Sequence, residues 1–274
     1  MEITNLEKRR KSLVLKLLIS GGGVSIVFIF GFFMMIKTGK NIITPLLFLV
    51  GIWIFIVYRL KFRISNSFIA LYNETLFKDS GIDALKYSRN ASNLKNSIFP
   101  LTNIKFGKFN ANDEFSGEIE GVKFQICDAR LDLSHINFKG RVFKAKFNKD
   151  FQNITLISNI DIIKKDELKK IAIDSPKFGL EFEVFSNALE ESLYILSPVL
   201  LERLEILVGQ NKADILFYKN DILILLDNKS DALEPNLFKP ITKLNSQKFK
   251  DEILDFKELI KFLRLDSKLF KKEI

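Results

Sequence analysis

Two stretches of the chain show no hydrophobic period because almost every position is apolar. Residues 17–36 run for 20 positions without a charge, and twelve of them are Leu, Ile, Val or Phe. As a helix, at about 1.5 Å per residue, this run is about 30 Å long, the thickness of a bilayer's hydrocarbon layer. Residues 41–58 form a second charge-free run of 18. Pro45 stands in its first turn, where a missing N–H costs little, and Tyr58 at its end suits the headgroup level. Only Lys37-Thr38-Gly39-Lys40 separates the runs. Spans joined so closely must be antiparallel neighbours, because exposed irregular backbone is not tolerated in lipid. A transmembrane helical hairpin is therefore expected, with spans at about 14–36 and 42–58. Gly21 and Ser25 place two small residues on one face of the first helix. Either they admit the second helix or they merely soften the first.

Periodic patterns begin after the hairpin. Phe68, Leu71, Tyr72, Thr75 and Leu76 follow helical spacing, so the second span is expected to continue as a helix to about residue 78. Residues 82–103, rich in Asn and Ser, read as a short helix plus loop. From 104 to 158 the period falls to two. Val122, Phe124 and Ile126 alternate with Lys123 and Gln125, and Phe143, Ala145 and Phe147 alternate with Lys144 and Lys146. This predicts an antiparallel meander with one buried face and a turn at Glu120-Gly121. A lysine-rich helix is expected over 161–173, and a strand over 182–185. Ser197-Pro198 signals a helix start and Gly209 its stop. Residues 213–218 and 222–226 around Lys219-Asn220-Asp221 read as a hairpin, and 249–270 as a closing helix. The whole is an α+β fold: a hairpin and basic N-terminus in 1–63, then one domain in 64–274, long enough for a single core.

Charge changes this picture in one respect. The chain carries +9 overall, yet residues 1–63 hold ten Lys and Arg against two Asp and Glu, a net of +8. The remaining residues hold 32 against 31, a net of +1. The basic pI thus belongs to the hairpin, and a nucleic-acid partner is not expected. Lys8, Arg9, Arg10, Lys11 and Lys16 precede the first span and Arg59, Lys61 and Arg63 follow the second, against two lysines in the loop. The excess places both termini in the cytoplasm. A cleaved signal peptide is the competing reading. Its basic start fits, but the apolar core is too long, no A-x-A site follows and a second span comes at once. One Cys excludes a disulfide framework, and one His makes a His-rich metal site improbable.

Candidate chemistry is sparse. Asp132, Ser134 and His135 lie close in sequence, but neighbours on an extended segment point apart and no G-x-S-x-G elbow exists, so His135 reads as a turn or surface residue. Cys127 reads as a structural thiol. Asp113, Glu114, Glu118 and Glu120 read as a solvated acidic strand face, without the Asp-x-Asp-x-Asp-Gly calcium pattern. If a polar site exists, Asp113 with Asp128 forms it, since the hairpin could bring them together. On the closing helix, Phe249, Ile253, Phe256, Ile260 and Leu263 make one stripe. Lys250, Lys257, Lys261, Arg264 and Lys268 make another, suited to anionic lipid head groups, each basic residue being worth about 1 kcal/mol near the surface. The alternative is a helix packed on its own domain with a solvated basic side. No metal or cofactor is expected.

Several blocks, FKGRVFKAKFNKDF (138–151), FEVFSNALEESLYILSPVLLERL (182–204), ILFYKNDILILLDNKSDALEPNLFKP (215–240) and ELIKFLRLDSKLF (258–270), resemble the bacterial family catalogued as "domain of unknown function 3137". The resemblance covers roughly residues 60–270 and implies a bacterial inner-membrane protein with two spans before its domain. It carries over no catalytic residue. Where family members often have Ser-Glu, this chain has Cys127-Asp128, and Leu193 stands where an Arg often precedes the Tyr equivalent to Tyr194. The expectation is a membrane-anchored, cytoplasm-facing binding or interaction module with the bilayer as partner and an unidentified protein or ligand. The alternative is a tethered enzyme using Asp113 and Asp128, and a third reading is a pore component built from oligomers of the hairpin.

Overall fold

The computed structural model describes residues 2–37, 43–78, 83–98, 101–102, 109–119, 121–132, 137–173, 181–229, 235–241, 247, 251 and 254–261. The chain divides into two compact units, residues 1–76 with 234–245, and residues 77–233 with 246–274.

The first unit is built on two helices, α1 (Glu2–Lys37) and α2 (Ile43–Lys78), packed as a hairpin. Each has 36 residues, about 54 Å at 1.5 Å per residue. Their spans of membrane-crossing length and composition run Thr4–Met34 and Pro45–Thr75, and the most apolar window of each is unburied. Ile26, Val27, Phe30, Leu47, Phe48 and Phe55 all face outward. Trp53 Nε1 donates to Ser25 Oγ at 3.1 Å, and Ser25 Oγ donates to the Gly21 carbonyl at 2.8 Å. Leu49 lies against Gly31, while a Cβ placed on Gly21 would meet nothing within 4 Å. Close approach thus occurs at Ser25 and Gly31, not at Gly21.

Toward the charged ends of these helices, residues 235–241 lie across them as a strap. Leu237 is buried with Leu17 and Phe68, and Leu13, Val14, Leu60, Ile64 and Ile241 pack around them. Arg10 donates to the Leu237 carbonyl at 2.8 Å and is held by the Glu7 carboxylate at 2.6 Å. Glu7 also accepts from the Ile241 amide at 3.2 Å.

The second unit holds a seven-stranded sheet in the order β1-β2-β3-β4-β6-β5, with β7 also on β4. The strands are β1 (Asp83–Asn90), β2 (Phe109–Ile119), β3 (Val122–Asp132), β4 (Asn137–Ser158), β5 (Lys169–Ile171), β6 (Glu183–Ser186) and β7 (Lys212–Asp227), all paired antiparallel. Helices α3 (Ser92–Ile98), α4 (Leu189–Ile195) and α5 (Pro198–Val208) complete it, together with α6 over residues 254–261. The expected meander is β2-β3-β4. Its first turn closes between the paired Ile119 and Val122 and uses Gly121 at φ +86, a conformation a β-carbon resists. One face of the sheet packs Cys127, Leu131, Val142, Leu216 and Leu225 against Leu94 and Ile98 of α3. On the other, the Phe124 and Phe143 rings meet Phe256 of α6 at 6.0 and 4.5 Å. Ser197 caps α5 through the Leu200 amide, as its sequence requires.

Three expected elements differ. Residues 83–90 form an edge strand instead of belonging to a helix and loop, because pairing with β2 overrides a polar composition. Residues 161–173 form a loop ending in β5 instead of a helix. The buried Asp214 carboxylate takes the amides of Ile160, Ile162 and Ile163 at 3.2, 2.8 and 3.0 Å and the Ser158 hydroxyl at 2.6 Å, so local helical hydrogen bonds lose their donors. Lys219-Asn220-Asp221 is no hairpin turn. Lys219, at φ 53, is an irregularity inside one 16-residue strand, and β4 carries the matching one: its partners shift from Lys146↔Asp221 to Phe151↔Lys219.

Candidate functional site

Asp113 and Asp128 arise from the β2–β3 hairpin. Asn112 pairs with Asp128 and Phe115 with Ile126, so Asp113 and Glu114 stand opposite the single residue Cys127 in a β-bulge. Asp113 takes φ 55 there. It is fully buried, accepting from the Tyr87 hydroxyl and the Arg89 guanidinium, and from Asn112 Nδ2 at 2.8 Å. Asp128 is buried against Arg141, its direct cross-strand partner, whose guanidinium donates to Asp128 Oδ1. Arg141 is itself wholly buried, so the two charges neutralise each other away from water. The hairpin does draw the two aspartates to neighbouring positions, but each is committed to its own cation.

The expected solvated acidic face is corrected by the same bulge. Glu114 is also buried. Its carboxylate accepts from Gln125 Nε2 at 3.1 Å and from the Leu94 amide at 3.5 Å, and burial pushes its carboxyl above the usual range. Glu118 is half-buried, and Glu120 lies outside the described residues. Cys127 is a buried free thiol, pushed well above its ordinary pKa by burial and then by the neighbouring Asp128. Such a thiol is not a nucleophile at neutral pH. Asp132 ends β3, while Ser134 and His135 lie outside the described residues. On the closing helix, Phe256 and Ile260 are buried, Lys257 is half-buried, and half-buried Lys261 pairs with Glu258 at 3.1 Å. Lys250, Arg264 and Lys268, like Phe249, Ile253 and Leu263, lie outside the described residues. Among the described residues, no three His, Cys, Asp or Glu side chains group as metal ligands.

The concave features lie elsewhere on the sheet. One groove of about 350 Å³ is lined by Lys86, Ser116, Glu118, Lys123, Gln125, Lys144 and Lys146, among others. A second, of about 310 Å³, is lined by Leu101, Leu216, Tyr218, Leu223, Asp221 and again Lys144. Neither Asp113 nor Asp128 lines either. Both volumes fall at the lower end of small-molecule sites. Strand register builds the first groove, because Lys86 pairs with Ser116, Ser116 with Gln125, and Gln125 with Lys144. The lysine alternation on β3 and β4 was visible in the sequence, but nothing there aligned Lys86 with it. A further feature escaped the sequence reading: Leu189, Leu193 and Tyr194 on α4, and Val199 and Ile206 on α5, are each about half exposed.

These observations define a class of protein, an α+β domain following two long, exposed, apolar helices. The family described as "Protein of unknown function (DUF3137)" matches residues 136–265, so the resemblance read from the sequence holds over that stretch. Leu193 lies within it, and Cys127-Asp128 outside it. Neither a curated protein nor a solved structure matches the chain.

Proposed function

We propose that this protein is a bacterial inner-membrane binding module, with its helical hairpin in the bilayer and both termini, with the sheet domain, in the cytoplasm. The observation that carries the reading is the unburied apolar surface of α1 and α2. Side chains such as Phe48, 72% exposed, have no place in water but suit lipid. The charge asymmetry of residues 1–63 supports the orientation, and the family resemblance supports the bacterial assignment. A binding role, without catalysis, fits the way the ionisable groups are used. Asp113 and Asp128 are buried and each is paired with an arginine, part-exposed Arg89 and wholly buried Arg141, so a substrate would have to displace one of these to reach them, which weighs against the tethered-enzyme alternative.

The test is fractionation followed by protease accessibility. The full chain is expected in membranes that resist carbonate extraction and dissolve in detergent. In intact spheroplasts, an external protease should leave residues 77–274 uncut. Digestion of that region from outside, or recovery of the chain in the soluble fraction without detergent, overturns the reading.

A further inference from the structure

We propose that the two grooves, joined at Lys144, form one site for a nucleoside phosphate. The phosphates would lie on Lys123, Lys144 and Lys146, a sugar hydroxyl would reach Asp221, and the base would lie along Tyr218 and Leu101. The inference deepens the binding-module reading by giving it a ligand class.

Three independent features lead to this ligand. The first is an excess of positive charge, four lysines against Glu118 and Asp221. The first groove gathers four lysines and one glutamate from four adjacent strands. Lys86, Lys123 and Lys146 are exposed and have no ion-pair partner among the described residues, and Lys144 pairs with Asp221 at 3.0 Å. Like charges gathered on neighbouring strands cost stability, and a polyanion relieves that cost. Lysine binds phosphate as a compact point charge, and Ser116 and Gln125 between the lysines add neutral hydrogen-bonding groups.

The second feature is an orphaned acceptor. Asp221 Oδ2 meets Lys144, and its Oδ1 is covered and has no hydrogen-bond partner among the described residues. An acceptor left without a donor favours any ligand that brings one. When the Lys144 ammonium turns to the phosphates, the Asp221 carboxylate is freed for a ligand hydroxyl at the junction of the grooves, a partner that inorganic phosphate, with no sugar, cannot supply. The third is the apolar body of the second groove. Leu101, Leu216, Leu223 and the edge of Tyr218 line it. A planar base suits such a wall. This arrangement presents side-chain cations and not a glycine-rich loop at a helix N-terminus, so it supports binding and does not imply phosphoryl transfer.

The test uses the full chain in nanodiscs of zwitterionic lipid and equilibrium binding of ATP, UTP, inorganic triphosphate and adenosine. At least one nucleotide is expected to bind saturably, and triphosphate and adenosine each about tenfold or more weaker, a difference of about 1.4 kcal/mol. The double variant Lys123→Gln/Lys146→Gln should weaken nucleotide about tenfold. Asp221→Asn should weaken nucleotide and not triphosphate, a split that a merely folding-related effect would not produce. Four results overturn the assignment: no saturable nucleotide binding, triphosphate binding as tightly as nucleotide, double-variant affinity unchanged, or a response only to nanodiscs containing phosphatidic acid. None of these touches the membrane reading, which stands or falls on fractionation.

Discussion

The hairpin and the sheet domain put the same side chains to opposite uses, exposed in one and buried in the other. In the hairpin Ile26, Phe30 and Phe48 are 69%, 66% and 72% exposed, whereas in the domain Ile126, Phe143 and Phe217 are 0% exposed. Polar groups invert as well. The described apolar stretch of the hairpin has a single interhelical polar contact, Trp53 to Ser25, while the domain buries whole charges, Arg141 with Asp128 and Asp214 with four donors. Apolarity therefore does not by itself say where a residue goes. The surrounding solvent decides, and in lipid the helices need to satisfy only their backbones. In water the sheet must hide its apolar surface, and any charge trapped with that surface needs a partner.

This contrast can be attacked from both sides, with amide-I infrared absorption reporting the sheet and the fluorescence of the sole tryptophan, Trp53, reporting the hairpin. The largest effect is expected from Arg141→Ala, which strands Asp128 in the core and should cost the sheet about 3–5 kcal/mol in denaturant melts. The double variant Arg141→Leu/Asp128→Leu should cost less than that single change. Equal losses in both signals would mean that the two units do not melt separately. Next comes Ile26→Lys. A cation at the centre of the first span should make insertion about 2.5–3.5 kcal/mol less favourable in a translocon assay and leave the sheet's melting unchanged. If insertion is indifferent to this lysine, the outward apolar surface does not face lipid.

Leu237→Ala tests the strap that both halves of the hairpin hold. A cost of about 2 kcal/mol is expected, seen as faster proteolysis of residues 234–245, with the sheet signal unmoved. The smallest effect is a pH dependence. Burial raises the Glu114 carboxyl in the folded chain above its ordinary value of about 4.5, so the folded state holds this proton more tightly than the unfolded state. That contribution to stability is fully present below pH 4.5 and is lost as pH rises through the folded value. Glu114→Gln should remove this fall from a stability–pH profile. An identical profile in the variant would place the titration elsewhere.

What could be read in the sequence followed from interactions between near neighbours. The spans, the Ser197-Pro198 helix start, the Gly121 turn and the β2-β3-β4 alternation each depend on a period or a local dihedral preference, which a linear string displays. The candidate site was harder. The hairpin pattern pairs Asp113 with Asp128, but a bulge shifts Asp113 and Glu114 by one position, both are buried, and no single-strand pattern encodes a bulge that the facing strand completes. Gly140 makes the same point. A β-carbon there would collide with the Leu226 carbonyl on β7, yet the sequence between them gives no sign of that approach.

Hydrophobic length and charge asymmetry act residue by residue on transfer from water, so they are legible in a linear string and mark two helices of membrane-crossing length and composition. Tertiary structure alone decided which charges meet. Arg141 with Asp128, and Asp214 with the amides of Ile160, Ile162 and Ile163, are brought together by strand pairing, and register is a property of paired chains.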